Sequence, residues 1–183
     1  MLRFNSDHKF KIMQIADTQE IPAVSPDTLS LINNALDREK PDLVIFTGDQ
    51  IKGYSKKFKK DPAIIESTID TLVEPIAKRN IPFMVTYGNH DAQCGVDNRG
   101  QYKFYAKYDN FISGDLRNSD DVGTADIQIH SSTEDKPVFE LYIIDSHGKA
   151  KDGAGYAPVD KEQIEWYVSR REQLKAENGD YLP

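Results

Sequence analysis

Three short apolar runs break off into polar turns, and that repetition constrains this chain more than anything else in it. Lys9 to Ala16 (KFKIMQIA) ends at Asp17, and Leu43 to Thr47 (LVIFT) ends in Gly48-Asp49. Phe83 to Tyr87 (FMVTY) runs straight into Gly88, Asn89, His90 and Asp91. Each run is of strand length and rich in β-branched or aromatic residues. Helical signals separate them. Ser25-Pro26 offers an N-cap with Pro at the first helical position, and Leu29, Ile32 and Leu36 share a face until Pro41 stops the pattern. Asp61-Pro62 repeats the signal ahead of a stripe formed by Ile65, Ile69, Leu72 and Ile76. Strand, helix, strand, helix, strand predicts an α/β sheet whose parallel neighbours are joined by right-handed crossovers. Parallel strands end on the same side, so the three polar turns fall along one edge. Open α/β sheets bind their ligands there, outside the carboxyl ends of the strands.

Beyond Asp91 the character changes. Residues 92–124 are rich in Gly, Asn, Asp and Tyr, with one short helix expected near Gln101 to Tyr108. Ala125 to Ser131 and Val138 to Ile144 read as two strands of a hairpin around the turn-like SSTEDKP. Asp160 and Gln163 form a capping-box pattern. The helix it opens is expected to bury Ile164, Tyr167, Val168, Arg171 and Leu174 on one face and to close at Asn178-Gly179. No repeat, low-complexity tract or linker interrupts the 183 residues, so residues 1–183 are read as one domain.

A net charge of −7 disfavours binding to a nucleic-acid backbone. The exception is a basic cluster, Lys52, Lys56, Lys57, Lys59 and Lys60, read either as a solvated loop or as an attractor for an anionic substrate. The single cysteine, Cys94, excludes an internal disulfide framework and suits a reducing compartment. The N-terminus lacks the apolar core of a signal peptide, and no run is long enough to span a membrane. The expectation is a cytoplasmic protein with no membrane partner.

Taken singly, Asp17, Asp49 or Asn89 is an ordinary turn former. Three such residues on adjacent strand ends, two with Gly immediately before them, instead suggest oxygen ligands for a hard or borderline divalent cation. No glycine-rich phosphate loop follows the first strand, where the residues are ADTQEIP, so a nucleotide-binding module is disfavoured.

Asp17-Thr18-Gln19, Gly48-Asp49-Gln50-Ile51 and Gly88-Asn89-His90-Asp91 resemble the first three motifs of the calcineurin-like metallophosphoesterases, D-x-H, GD-x-x and GNH[DE]. The likeness continues more loosely through LYIIDS and EQIEWYVSRREQL, which are similar to the branch related to purple acid phosphatases. The resemblance implies a β-sandwich flanked by helices, in αββα layers. It also implies hydrolysis of a phosphate mono- or diester at a dinuclear centre of Mn, Fe or Zn. By it, Asp17 would bind the first metal, Asp49 would bridge both, and Asn89 would bind the second. His90 would serve the phosphoryl group, and Asp91 would orient His90 by accepting its other N–H. Gln19 stands where the family usually has His, so it is a candidate ligand of weaker kind. The family's later histidine motifs have no counterpart here. His8 is read as a surface residue, His130 as a sheet-surface side chain, and His147 as a loop residue near the site. The chain is therefore expected to be the N-terminal part of such a domain. It is either a phosphoesterase when complete or a non-catalytic fragment that binds phosphate or one metal. Strands missing from its second sheet would leave an open edge, inviting self-association.

Overall fold

The computed structural model describes residues 1–150, 153 and 155–183. The three strand-end runs form one parallel sheet in the order β2 (Ile12–Ile15), β3 (Leu43–Thr47), β4 (Phe83–Thr86). Their crossovers are α1 (Pro26–Glu39) and α2 (Pro62–Ala77). Both helices start as the sequence indicates, with Ser25 accepting from Asp27 N, Asp61 accepting from Ala63 N, and Pro at the first position of each. The first strand is shorter than its apolar run. A turn in which Lys9 N donates to Asn5 occupies its beginning, and the Lys11 carbonyl is already taken by Asp42 and Leu43.

A second sheet is centred on β6 (Ala125–His130). It pairs antiparallel with β7 (Pro137–Ile143) and with the two-residue β5 (Asp115–Leu116), and parallel with β1 (Leu2–Arg3). Neither short strand carries a local signal. β1 is recruited by a partner more than a hundred residues away, Leu2 lying opposite Ile129.

The sheets pack face to face. Leu43, Ile45 and Met84 of the parallel sheet meet Leu2, Ala125, Ile129 and Ile143 of the other in one buried cluster. The opposite face of the parallel sheet, with Val44, Phe46, Phe83 and Val85, is covered by Ile32 and Leu36 of α1 and the expected stripe of α2. α3 (Asn98–Ala106) joins this layer through Tyr105 and begins earlier than the sequence suggests, because Asp97 caps it by accepting from Gly100 N. α4 (Lys161–Asn178) lies on the outer face of the second sheet, completing αββα layers.

α4 departs from the expected stripe. Ile164 and Val168 are more than half exposed, at 52% and 53%. Gln163 and Leu174 are the residues it buries, and Arg170 reaches inward to Asp126 and Asp115. The face of β6 and β7 beneath α4 carries Asp126, Glu140 and Tyr142, so the helix must answer it with polar groups. An apolar count cannot find such a face. Among the described residues, no helix is long and apolar enough to cross a membrane.

Candidate metal centre

Each expected ligand stands two or three residues beyond a parallel strand: Asp17 after β2, Asp49 after β3, Asn89 after β4. Three residues here hold left-handed backbone, Asp17 at φ 52°, Gln19 at 49° and Asp49 at 53°. Such a conformation costs a non-glycine residue roughly 1–2 kcal/mol, so its recurrence calls for a compensating framework. Hydrogen bonds supply it. Asp17 N donates to Gly48 O at 3.0 Å and Gln19 N to Asp49 O at 2.9 Å. Thr18 Oγ1 donates to Gln50 O at 2.7 Å. The turn after β2 is thus fastened to the turn after β3.

The buried Asp49 carboxylate ties in the third turn. Its Oδ1 accepts from His90 N at 2.8 Å, and its Oδ2 accepts from the Gln19 amide at 3.2 Å. Gly88 is required for this approach, since a Cβ there would lie 2.2 Å from Asp49 Oδ1.

Asp91 does something other than hold the His90 ring. Its Oδ2 accepts from Asp49 N and from Gly88 N, each at 2.8 Å, and its Oδ1 accepts from Ile51 N at 3.2 Å. Its own carbonyl accepts from the buried Gln101 amide at 2.8 Å. Tight turns at strand ends leave N–H groups without sheet partners, and a buried carboxylate satisfies three of them at once. Burial pushes the Asp91 carboxyl up to about 6, against the pull of those three donors. The His90 imidazole is instead engaged by Gln93, whose Oε1 lies 3.1 Å from Nδ1. Tyr54 meets the ring at a centroid distance of 4.7 Å and 61°.

Sequence reasoning did not single out Gln93, Tyr54 or Gln101. Gln93 carried a usable signal, because Asp91–Cys94 forms a 3-10 turn in which residues three apart eclipse. Tyr54 and Gln101 carried none.

His147 lies at the margin of the centre. The following Gly148 packs on Asn89, a Cβ there being 3.8 Å from Asn89 Cα. The His147 ring itself turns to Asp160, with Nε2 3.3 Å from Oδ2. His130 lies in β6 with Nδ1 3.1 Å from Asp135, and His8 is an exposed residue beside Ser132.

The donor set fits an oxygen-ligated divalent cation. Asp49 keeps free lone pairs on both oxygens after its two hydrogen bonds, and Asp17 and the Asn89 amide stand on the same edge. Among the described residues no three His, Cys, Asp or Glu side chains group to hold a metal.

A family model described as calcineurin-like phosphoesterase matches residues 10–181. The chain is 28% identical to a protein of Arabidopsis thaliana named probable inactive purple acid phosphatase 14, over 97% of this chain and 50% of that protein. It is 31% identical to phosphatase DCR2 of Saccharomyces cerevisiae, over 87% of this chain and 30% of the other. It therefore spans about half or less of the length of these curated relatives. Among solved structures, a dimetal phosphatase from Danio rerio superposes with a TM-score of 0.53 at 14% identity, covering 91% of this chain and 54% of that one. That likeness concerns the fold.

Proposed function

This chain belongs to the calcineurin-like phosphoesterase family, and from that premise we propose that it carries the strand-end part of a metal-dependent phosphoesterase centre. The observation that carries this reading is the convergence of three turns on Asp49, whose carboxylate is bonded at once to His90 N and to the Gln19 amide. Asp17, Asp49 and Asn89, with Gln19 as a weaker donor, would hold the cation. When bound, a divalent cation supplies Lewis acidity to phosphoryl oxygens and a water that ionises near neutrality.

The chain's own residues do the positioning. Asp91 locks the turns after β3 and β4 together through three backbone donors. His90 has Nδ1 occupied by Gln93 Oε1, which fixes that nitrogen as the donor. In the doubly protonated ring Nε2 would carry a proton as well, to donate to a phosphoryl oxygen or to pass to the leaving oxygen. Asn89 ligates without adding charge, so the cation stays electrophilic. The substrate is a phosphate mono- or diester.

A second reading is favoured by the want of a three-residue His, Cys, Asp or Glu group among the described residues. In it the chain holds one cation or phosphate without turnover. Mn²⁺ calorimetry together with hydrolysis of p-nitrophenyl phosphate and its bis-ester separates the two. Turnover that Asp49→Asn removes supports the phosphoesterase. Binding without turnover supports the second reading. Mn²⁺ affinity unchanged in both Asp49→Asn and Asn89→Ala refutes the centre itself; each is expected to lose at least tenfold.

A further inference from the structure

The basic run at residues 52–60 is laid against the candidate centre. Gly53 packs on the carbonyl of His90 so closely that a Cβ would lie 1.9 Å from that oxygen. At the far end, the Lys60 stem packs on Gly95, just beyond the turn that follows His90. Between these points Tyr54 meets the His90 ring, and Lys52 Nζ lies 5.2 Å from the Tyr54 ring centroid. Ammonium, phenol and imidazole therefore form a continuous row leading away from the residue expected to serve the leaving group.

The run is anchored. Phe58 is buried, Lys52 N donates to Glu20 O at 2.8 Å, and Ser55 N donates to Lys52 O at 2.8 Å. Lys59 and Lys60 hold left-handed backbone at φ 52° and 55°, as expected of a fixed bend. Its cations also stand apart from the ion pairs of the described residues. Lysines that pair with carboxylates lie elsewhere, as Lys11, Lys78, Lys107 and Lys161 do, whereas among the described residues none of the five in this run makes an ion pair. In a chain of net charge −7, this run gathers five lysines beside one site.

We propose that Lys52 and Tyr54 form a leaving-group subsite that selects phosphoesters carrying a second anionic group on the leaving group. Tyr54 sets the His90 ring and supports the Lys52 ammonium, and Lys52 binds the second charge. The proposal rests on the phosphoesterase reading only in taking His90 to lie on the leaving-group side.

Two probes that differ by one charge test it: phenyl phosphate and 4-carboxyphenyl phosphate, titrated calorimetrically into the whole chain with Mn²⁺ at low ionic strength. The carboxylated ester is expected to bind about fivefold tighter, as one exposed to half-buried ion pair allows. The preference should vanish in Lys52→Ala and persist in Lys136→Ala, which removes the same charge from the β6–β7 turn. A preference absent from the wild type, or retained by Lys52→Ala, overturns the subsite while leaving the metal centre standing. Failure of both esters to bind overturns the subsite and the phosphoesterase reading together, while the Mn²⁺ titrations decide the cation centre separately. For Tyr54, the His90 ring protons should be ring-current shifted in the wild type and in Tyr54→Phe, and relaxed in Tyr54→Leu. Unchanged shifts in Tyr54→Leu refute its part.

Discussion

The two sheets of this molecule are stabilised by different means. The parallel sheet is held by apolar residues on both faces: Val44, Phe46 and Val85 against the helices, Ile45 and Met84 against the second sheet. Apart from Gln14 within β2, its polar residues lie at the strand ends, where they build the candidate centre. The second sheet is fully apolar on its inner face, whereas its outer face joins α4 through buried polar contacts as well as the packing of Tyr142 on Tyr167. Arg170 binds both oxygens of the buried Asp126, at 2.9 and 3.0 Å, and Gln163 donates to Asp145 O at 2.6 Å and Thr124 Oγ1 at 3.1 Å. Apolar burial tolerates substitution by anything greasy of similar size, whereas a buried charge tolerates only its partner. One half of the molecule should therefore yield gradually to mutation, and the other at a few points.

Arg170→Met tests this most severely. It strands the Asp126 carboxylate, which is 1% exposed, and should cost about 3–5 kcal/mol in urea unfolding. Arg170→Met with Asp126→Leu should regain most of that loss, because a pair replaced by packed apolar groups is close to neutral. A single-variant loss below about 1 kcal/mol would remove the distinction between the halves. Glu140→Gln sharpens it. Both Glu140 oxygens are buried without a hydrogen-bond partner, and burial, reinforced by Asp126, pushes the carboxyl up to about 8. The folded chain thus keeps a proton that the unfolded chain has released. Stability contributed at this position is complete in acid, falls as pH rises from the ordinary carboxylate range to about 8, and is flat above. The Gln variant should lack that decline and exceed the wild type at pH 9 by something of the order of 2 kcal/mol. Parallel pH profiles would show that Glu140 does not titrate in that range.

The same division decides what could be read in advance. Strand-end positions of Asp17, Asp49 and Asn89 follow from local apolar runs and turn residues, and the structure sets all three on one edge. The caps at Ser25, Asp61 and Asp160 are likewise local, and each holds. Asp91 shows where local reading ends. Its neighbour in sequence is His90, but its hydrogen-bond partners Asp49 N and Ile51 N come from the turn after β3, and only the fold brings them near. β1 and β5 fail for the same reason, being two-residue strands defined by β6 alone. Tyr54 carries no local signal in the sequence, and only the fold sets its ring against His90.

The smallest expected effect bears on the helix where periodicity misled. The spacing of Ile164 and Val168 places them on an apolar stripe with Leu174, and were that stripe the buried face, Ile164→Lys would leave a cation against the sheet and cost several kcal/mol. The observed inner face instead runs through Gln163, Arg170 and Leu174, with Tyr167 edge-on to Tyr142 at 4.8 Å. Ile164, 52% exposed, loses little apolar burial when replaced. Lys at that position also has slightly better helix propensity, so the change should lie within about 0.5 kcal/mol of zero. Urea midpoints of wild type and Ile164→Lys should therefore nearly coincide. A loss above about 2 kcal/mol would mean that something covers this side of α4 in solution, and that the polar face toward β6 is not the helix's only buried one.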